Sequence, residues 1–183
     1  MASLFGHAFA AIALGSSFPK KQQTFKFILL VVVCAVIPDA DVIGFQFSIA
    51  YESFWGHRGF SHSLVFAFLF GFLIVFLFYR KLLLSKEGIT LILFFFVCTA
   101  SHSILDAMTS GGKGVAFLSP FNDTRYFFSW RPIKVSPLGI ANFFTERGLR
   151  VIKSELVWIG IPGTIYIIIT FLILKIRKIK NEK

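Results

Sequence analysis

Residues 64–79 read LVFAFLFGFLIVFLFY, an uncharged run that contains six phenylalanines. It has neither the alternation of a half-buried strand nor the one-sided apolar stripe of a surface helix. A helix that is hydrophobic all round belongs in the core of a large protein or in lipid. A chain of 183 residues has room for about one domain and cannot bury such a run from every side. The run is therefore bracketed by its flanks as a membrane segment: Arg80 and Lys81 follow it, and the polar stretch His57-Arg58-Gly59-Phe60-Ser61-His62-Ser63 precedes it.

The rest of the sequence repeats this design. Hydrophobic residues make up 56% of the chain and charged residues 15%, against about 45–50% and about 25% in soluble proteins. Apolar segments occupy residues 2–18, 25–37, 64–79, 89–105 and 156–174. Only the last reaches the roughly 20 residues that cross a bilayer comfortably. The second is short unless Lys26 snorkels and the helix runs on through Asp39. The expected fold is an all-α, multi-pass transmembrane bundle of four to five spans. It forms a single membrane-embedded domain over residues 1–183, with its motifs in residues 5–137, a final span near 156–174 and a basic tail at 175–183.

The formal charge of +10 does not indicate nucleic acid. No nucleic-acid-binding motif is present, and the cations cluster between apolar runs: Lys20, Lys21 and Lys26; Arg80, Lys81 and Lys86; and Lys175, Arg177, Lys178, Lys180 and Lys183. This is the pattern of positive, cytoplasmic loops flanking membrane spans. The first segment carries its lysines after the apolar stretch rather than before it, the reverse of a cleaved signal peptide, so it is expected to be retained. Cys34 and Cys98 lie within apolar runs and read as small buried hydrophobes.

With alternating spans, the N-terminus, residues 38–63 and residues 107–155 share the periplasmic or extracellular side. Every histidine falls at that side: His7, His57, His62 and His102. Asp39, Asp41 and Asp106 fall there too. His102 and Asp106 are one helical turn apart on one face. Asp39 and Asp41, in an extended turn after Pro38, point the same way. Gly59 lets the backbone fold His57 and His62 inward. Ionisable groups at membrane depth are costly and tend to be functional. These seven groups suit a divalent metal, zinc first and manganese or iron next, as one or two ions. Arg58 is placed to stabilise an anionic transition state, and Asp41 is a candidate general base. Ser61, Ser63, Ser101 and Ser103 flank the histidines as supporting partners or caps. There is no GxSxG elbow, Walker loop or dinucleotide fingerprint.

In order along the chain these motifs are Gly6-His7, Ile37-Pro38-Asp39-Ala40-Asp41, the HRGFSHS element at 57–63, the run from Ser101-His102-Ser103 through Asp106 to Gly112, and the Pro/aromatic stretch from Leu118 to Arg131. In this order they resemble the YdjM-like inner-membrane proteins, classed as membrane-bound metal-dependent hydrolases, some of them under LexA control. The resemblance implies a hydrolase. One departure is Val42, where the family often has a further histidine after the second aspartate.

The expected activity is metal-assisted hydrolysis at the outer membrane–water boundary, on a phosphoester or lipid-linked substrate, with membrane lipid as the partner. Two alternatives stand beside it: a metal-ion transporter and a non-catalytic, metal-stabilised membrane scaffold. The stretch 111–153 mixes cations with Phe117, Phe121, Tyr126, Phe127, Phe128, Trp130, Phe143 and Phe144. It reads as an aromatic-rich interfacial loop, and as a lid over the site.

Overall fold

The structure is a computed structural model that describes residues 1–137, 143 and 145–181; Phe144 of the aromatic loop and Lys183 of the tail lie outside the described residues. Its α-helices are α1 (Leu4–Gly15), α2 (Phe25–Val36), α3 (Leu64–Phe78), α4 (Lys86–Ala107), α5 (Glu146–Glu155) and α6 (Ile161–Asn181). Among the described residues there is no strand, only the isolated bridges Thr109–Ile133 and Val115–Tyr126. The protein is an all-helical membrane bundle.

The sequence punctuates the helices with hydroxyl caps. Ser3, Thr24, Ser63 and Ser85 each accept a hydrogen bond from the backbone N–H three residues on, satisfying a donor that the first turn leaves unpaired. Two of these caps, Ser3 and Ser63, lie at the histidine end of the bundle, and α2 and α4 finish there. The alternation read from the sequence therefore holds in the fold.

Three stretches are long and apolar enough to span: Phe25–Phe47 (23 residues), Lys86–Ala107 (22 residues) and Glu146–Lys180 (35 residues). The sequence reading credited only the last with that length. Pro38 explains the second. It has no N–H to continue the α-helical ladder, so the chain tightens into a 3-10 helix, Ile37–Phe47, and carries on. At the other end, Lys26 Nζ donates to the Phe78 carbonyl at 3.0 Å, closing the C-terminus of α3. The last stretch is lengthened because α5, a π turn at Leu156–Gly160 and α6 run on without a break. The expected loop 111–153 is accordingly cut short, its final part being α5. Leu4–Gly15 and Leu64–Phe78 are shorter apolar helices.

The core lies between α2, α3 and α4, where Phe27, Val31, Cys34, Val75, Phe95 and Cys98 are buried together. Both cysteines are free, as expected. Gly71 sets the closest contact. A Cβ there would lie 2.7 Å from Phe96 N, so α3 and α4 approach backbone to backbone. Outside this core, Phe68, Leu69, Phe72, Leu73 and Leu77 stay exposed, an apolar exterior that suits lipid and not water.

Candidate metal centre

The 3-10 conformation of Ile37–Phe47 corrects the expectation of an extended turn. At three residues per turn, positions i and i+2 diverge, so Asp39 and Asp41 point to different sides. They address opposite edges of one imidazole. Asp39 Oδ1 lies 3.7 Å from His62 Nε2, while Asp41 Oδ2 lies 3.1 Å from His62 Nδ1.

Around His62 Nε2 gather His102 Nε2 at 3.0 Å and Asp106 Oδ2 at 3.7 Å. His102 Nε2 is 3.4 Å from Asp39 Oδ1. These four side chains, Asp39, His62, His102 and Asp106, are all buried, and one donor atom from each lies within 4.8 Å of all the others. His102 donates Nδ1–H to the Ala35 carbonyl at 2.7 Å, which leaves its Nε2 lone pair aimed at the group. Donors about 2.0 Å from a tetrahedral ion stand about 3.3 Å apart, so separations of 3.0–3.7 Å fit one. A buried His/Asp group able to hold a metal ion is thus present.

Its polar accounting points the same way. Both oxygens of Asp39 are buried and accept no hydrogen bond. The two imidazoles approach Asp39 at ion-pair distance only. An unpaired buried carboxylate is expensive unless a cation compensates it.

Asp41 has the opposite character. It accepts from His57 Nδ1 at 2.6 Å, Ser61 Oγ at 2.6 Å and the Arg58 backbone N–H at 3.1 Å, besides facing His62. Asp41, His57 and His62 form a second group of suitable donors. It uses the other nitrogen of His62, so a neutral His62 can serve one group at a time. His62 lies outside the spanning helices. Burial alone would lower its pKa, but the surrounding carboxylates of Asp39, Asp41 and Asp106 lift it to about 9.

His7 joins the cluster without joining the four-donor group. Its ring stacks on His102 with centroids 3.7 Å apart, and its Nε2 is 3.3 Å from Asp106 Oδ1. Neither ring nitrogen has a hydrogen bond.

The turn that presents His57 and His62 depends on its glycines for space. A Cβ on Gly59 would lie 2.3 Å from the Phe54 carbonyl oxygen, and one on Gly56 would lie 2.2 Å from that of Ala50. The left-handed residue of the turn is Arg58, at φ 65°, beside Gly59. Arg58 also departs from its expected role over a substrate. Its side chain is fully buried. Nε donates to Asp106 Oδ2 at 2.8 Å, and its terminal nitrogens donate to the Gly111 carbonyl at 3.0 Å and Thr109 Oγ1 at 3.1 Å. Asp106 Oδ1 accepts from the Ala2 backbone N–H at 2.8 Å.

Two residues escaped the sequence reading. Arg125, in the aromatic loop, donates to the His57 carbonyl at 2.8 Å and the Tyr51 carbonyl at 2.9 Å, pinning the turn. Glu155 is buried, and its carboxylate accepts from the backbone N–H and the Oγ of Ser3. Its signal was an acid placed immediately before a long apolar run.

Fold and site define a class: an all-helical membrane protein whose interhelical end carries a buried His/Asp cluster suited to metal. The chain belongs to the YdjM inner membrane protein family, which it matches over residues 1–178. It is similar to the inner membrane protein YbcI of Escherichia coli (strain K12), at 41% identity over 164 residues that cover 89% of this chain and 93% of that protein. No solved structure matches.

Proposed function

We propose that this chain is a membrane-bound metal-dependent hydrolase that holds one divalent ion, zinc foremost, between Asp39, His62, His102 and Asp106. The observation that carries the reading is Asp39: a carboxylate with both oxygens buried and unbonded, facing two imidazole nitrogens only 3.0 Å from each other. When bound, a divalent ion supplies Lewis acidity and lowers the pKa of water to about 7. The chain's own residues supply the rest. Ala35 and Asp41 fix the two histidines in orientation. Arg58 donates to Asp106 and holds its carboxylate in place. Asp41 is a positioning group for His57 and His62, since four contacts occupy it. A cavity of about 510 Å³, lined by Tyr51, His57, Gly112, Ser136 and Arg147, opens beside the cluster and suits an acidic ester, a phosphoester foremost. In this reading the end of the bundle that carries the cluster faces the periplasm, which the positive-inside pattern supports.

A transporter would need polar groups to continue across the bundle. Instead the cluster gives way to Val31, Cys34, Val75 and Phe95. The test is the metal content of purified protein, wild type against a His62→Ala, His102→Ala double variant. A near-stoichiometric ion is expected in the wild type and none in the variant. Negligible metal in both sinks the reading. Retained metal with no turnover on any phosphoester, soluble or lipid-borne, favours the metal-stabilised scaffold.

A further inference from the structure

Helix α5, the first part of the third spanning stretch, is amphipathic where the rest of that stretch is apolar. Gly148, Val151 and Glu155 turn inward, while Arg147, Arg150 and Lys153 are exposed, and none of these three cations pairs with a carboxylate among the described residues. It runs into the π turn Leu156–Gly160, a form found frequently at functional sites.

Between this stretch and α1 lies a cavity of about 700 Å³, within the range of small-molecule sites. Phe5, Phe9, Ile152, Ile159 and Ile165 make its wall. Its outer rim, Phe5 and Ile165, is exposed on the face of the bundle that meets hydrocarbon. Its polar corner is Ser3 with Glu155. The next residue back, Ala2, donates to Asp106 Oδ1. The apolar groove therefore ends one residue from the candidate metal centre, and Ile152 of its wall belongs to the same helix as the exposed cations Arg147, Arg150 and Lys153.

We propose that this groove seats one acyl chain of an anionic phospholipid, whose phosphate is met by Arg147, Arg150 and Lys153 at the membrane surface. An apolar slot open to lipid takes a chain, and clustered basic residues on an amphipathic helix select the anionic headgroup. As a lipid site the groove stands on its own geometry; as the substrate site, making the substrate a lipid phosphoester, it rests on the hydrolase reading above.

The test reconstitutes the full chain in vesicles carrying trace phosphatidic acid with a photoactivatable diazirine in its acyl chain, and maps the cross-links by mass spectrometry. Labels are expected on Phe5, Phe9, Ile159 and Ile165. Filling the groove with Ile165→Trp should lower labelling at Phe5 and Phe9 by roughly tenfold. Ile168→Trp, an exposed position that does not line the groove, should leave it unchanged. The same diazirine on phosphatidylcholine should label the groove roughly fivefold less, and an Arg150→Gln, Lys153→Gln variant should erase that difference. Labels spread evenly over the groove and over Phe68 and Phe72 of α3 would overturn the site. Equal labelling by the two lipids would overturn the anionic assignment. Metal content is read on the same samples. A wild type that lacks metal but labels in the groove defeats the hydrolase reading and leaves this site standing, whereas metal with scattered labels defeats the site alone.

Discussion

The two edges of His62 face opposite kinds of chemistry. On the Nδ1 side, Asp41 is saturated: His57, Ser61 and the Arg58 backbone all donate to it. On the Nε2 side, Asp39 accepts nothing, and His62 Nε2 lies at hydrogen-bond distance, 3.0 Å, from His102 Nε2. Sequence alone puts both aspartates in the ligand pool, separated by a single alanine, and singles out Asp41 as a candidate base. Their hydrogen bonds separate them by role. A carboxylate that is fully satisfied holds neighbours in place, and one that is buried without hydrogen bonds depends on a cation beside it, whether the His62 imidazolium or a metal ion.

Arg58 joins the two sides, since its backbone N–H goes to Asp41 and its guanidinium to Asp106. Breaking it should give the largest effect on stability. Arg58→Ala leaves Asp106 buried without its cation, and removing one partner of a buried pair costs about 3–5 kcal/mol. Arg58→Lys keeps the charge but loses the fork that reaches Thr109 and Gly111, so its loss should be smaller. Thermal unfolding in detergent measures both. An Arg58→Ala protein within about 1 kcal/mol of wild type would show that the pair does not tie the site together.

The next effect is on metal and sharpens the contrast. Asp41→Asn removes an orienting carboxylate but no ligand, and such losses typically weaken metal binding about 10–100-fold. Asp39→Asn should abolish it. Affinities measured by competition with a zinc chelator rank the two variants. If Asp41→Asn proves the more damaging, the ion belongs on the Nδ1 edge with His57.

Much of this was legible in the sequence. Strict alternation of apolar runs puts the starts of α1 and α3 and the ends of α2 and α4 together, so His7, His57, His62, His102 and the three aspartates had to meet. Their division of labour was not legible. Whether the residues after Pro38 form an extended turn or a 3-10 helix depends on what packs around them, and that choice sets the directions of Asp39 and Asp41. Arg58 looked free because its partner, Asp106, arrives from another helix. Glu155 finds Ser3 across 152 residues, a separation that no local pattern encodes. The length of the spans was missed for a related reason. Polar residues at the site end, such as Asp39 and Asp41, interrupt the apolar runs while the helical backbone continues through them, satisfied by protein rather than lipid.

The smallest effect separates the two edges by pH. In the metal-free protein, Asp39, Asp41 and Asp106 keep His62 protonated up to about pH 9, against about 6.5 in the unfolded chain. A pKa raised by folding contributes stability that is complete below about 6.5 and fades as the pH rises through about 9. Metal requires the neutral imidazole, so uptake must expel that proton, and affinity should fall up to about tenfold for each pH unit below 9. Melting temperatures taken from pH 6 to pH 9 should therefore converge for the metal-free and metal-loaded proteins at the acid end and separate toward the alkaline end, where metal gains what the free protein loses. In Asp41→Asn the convergence should shift to lower pH, because the carboxylate that helps hold the proton is gone. Parallel curves at every pH would mean that His62 Nε2 is not where the ion binds.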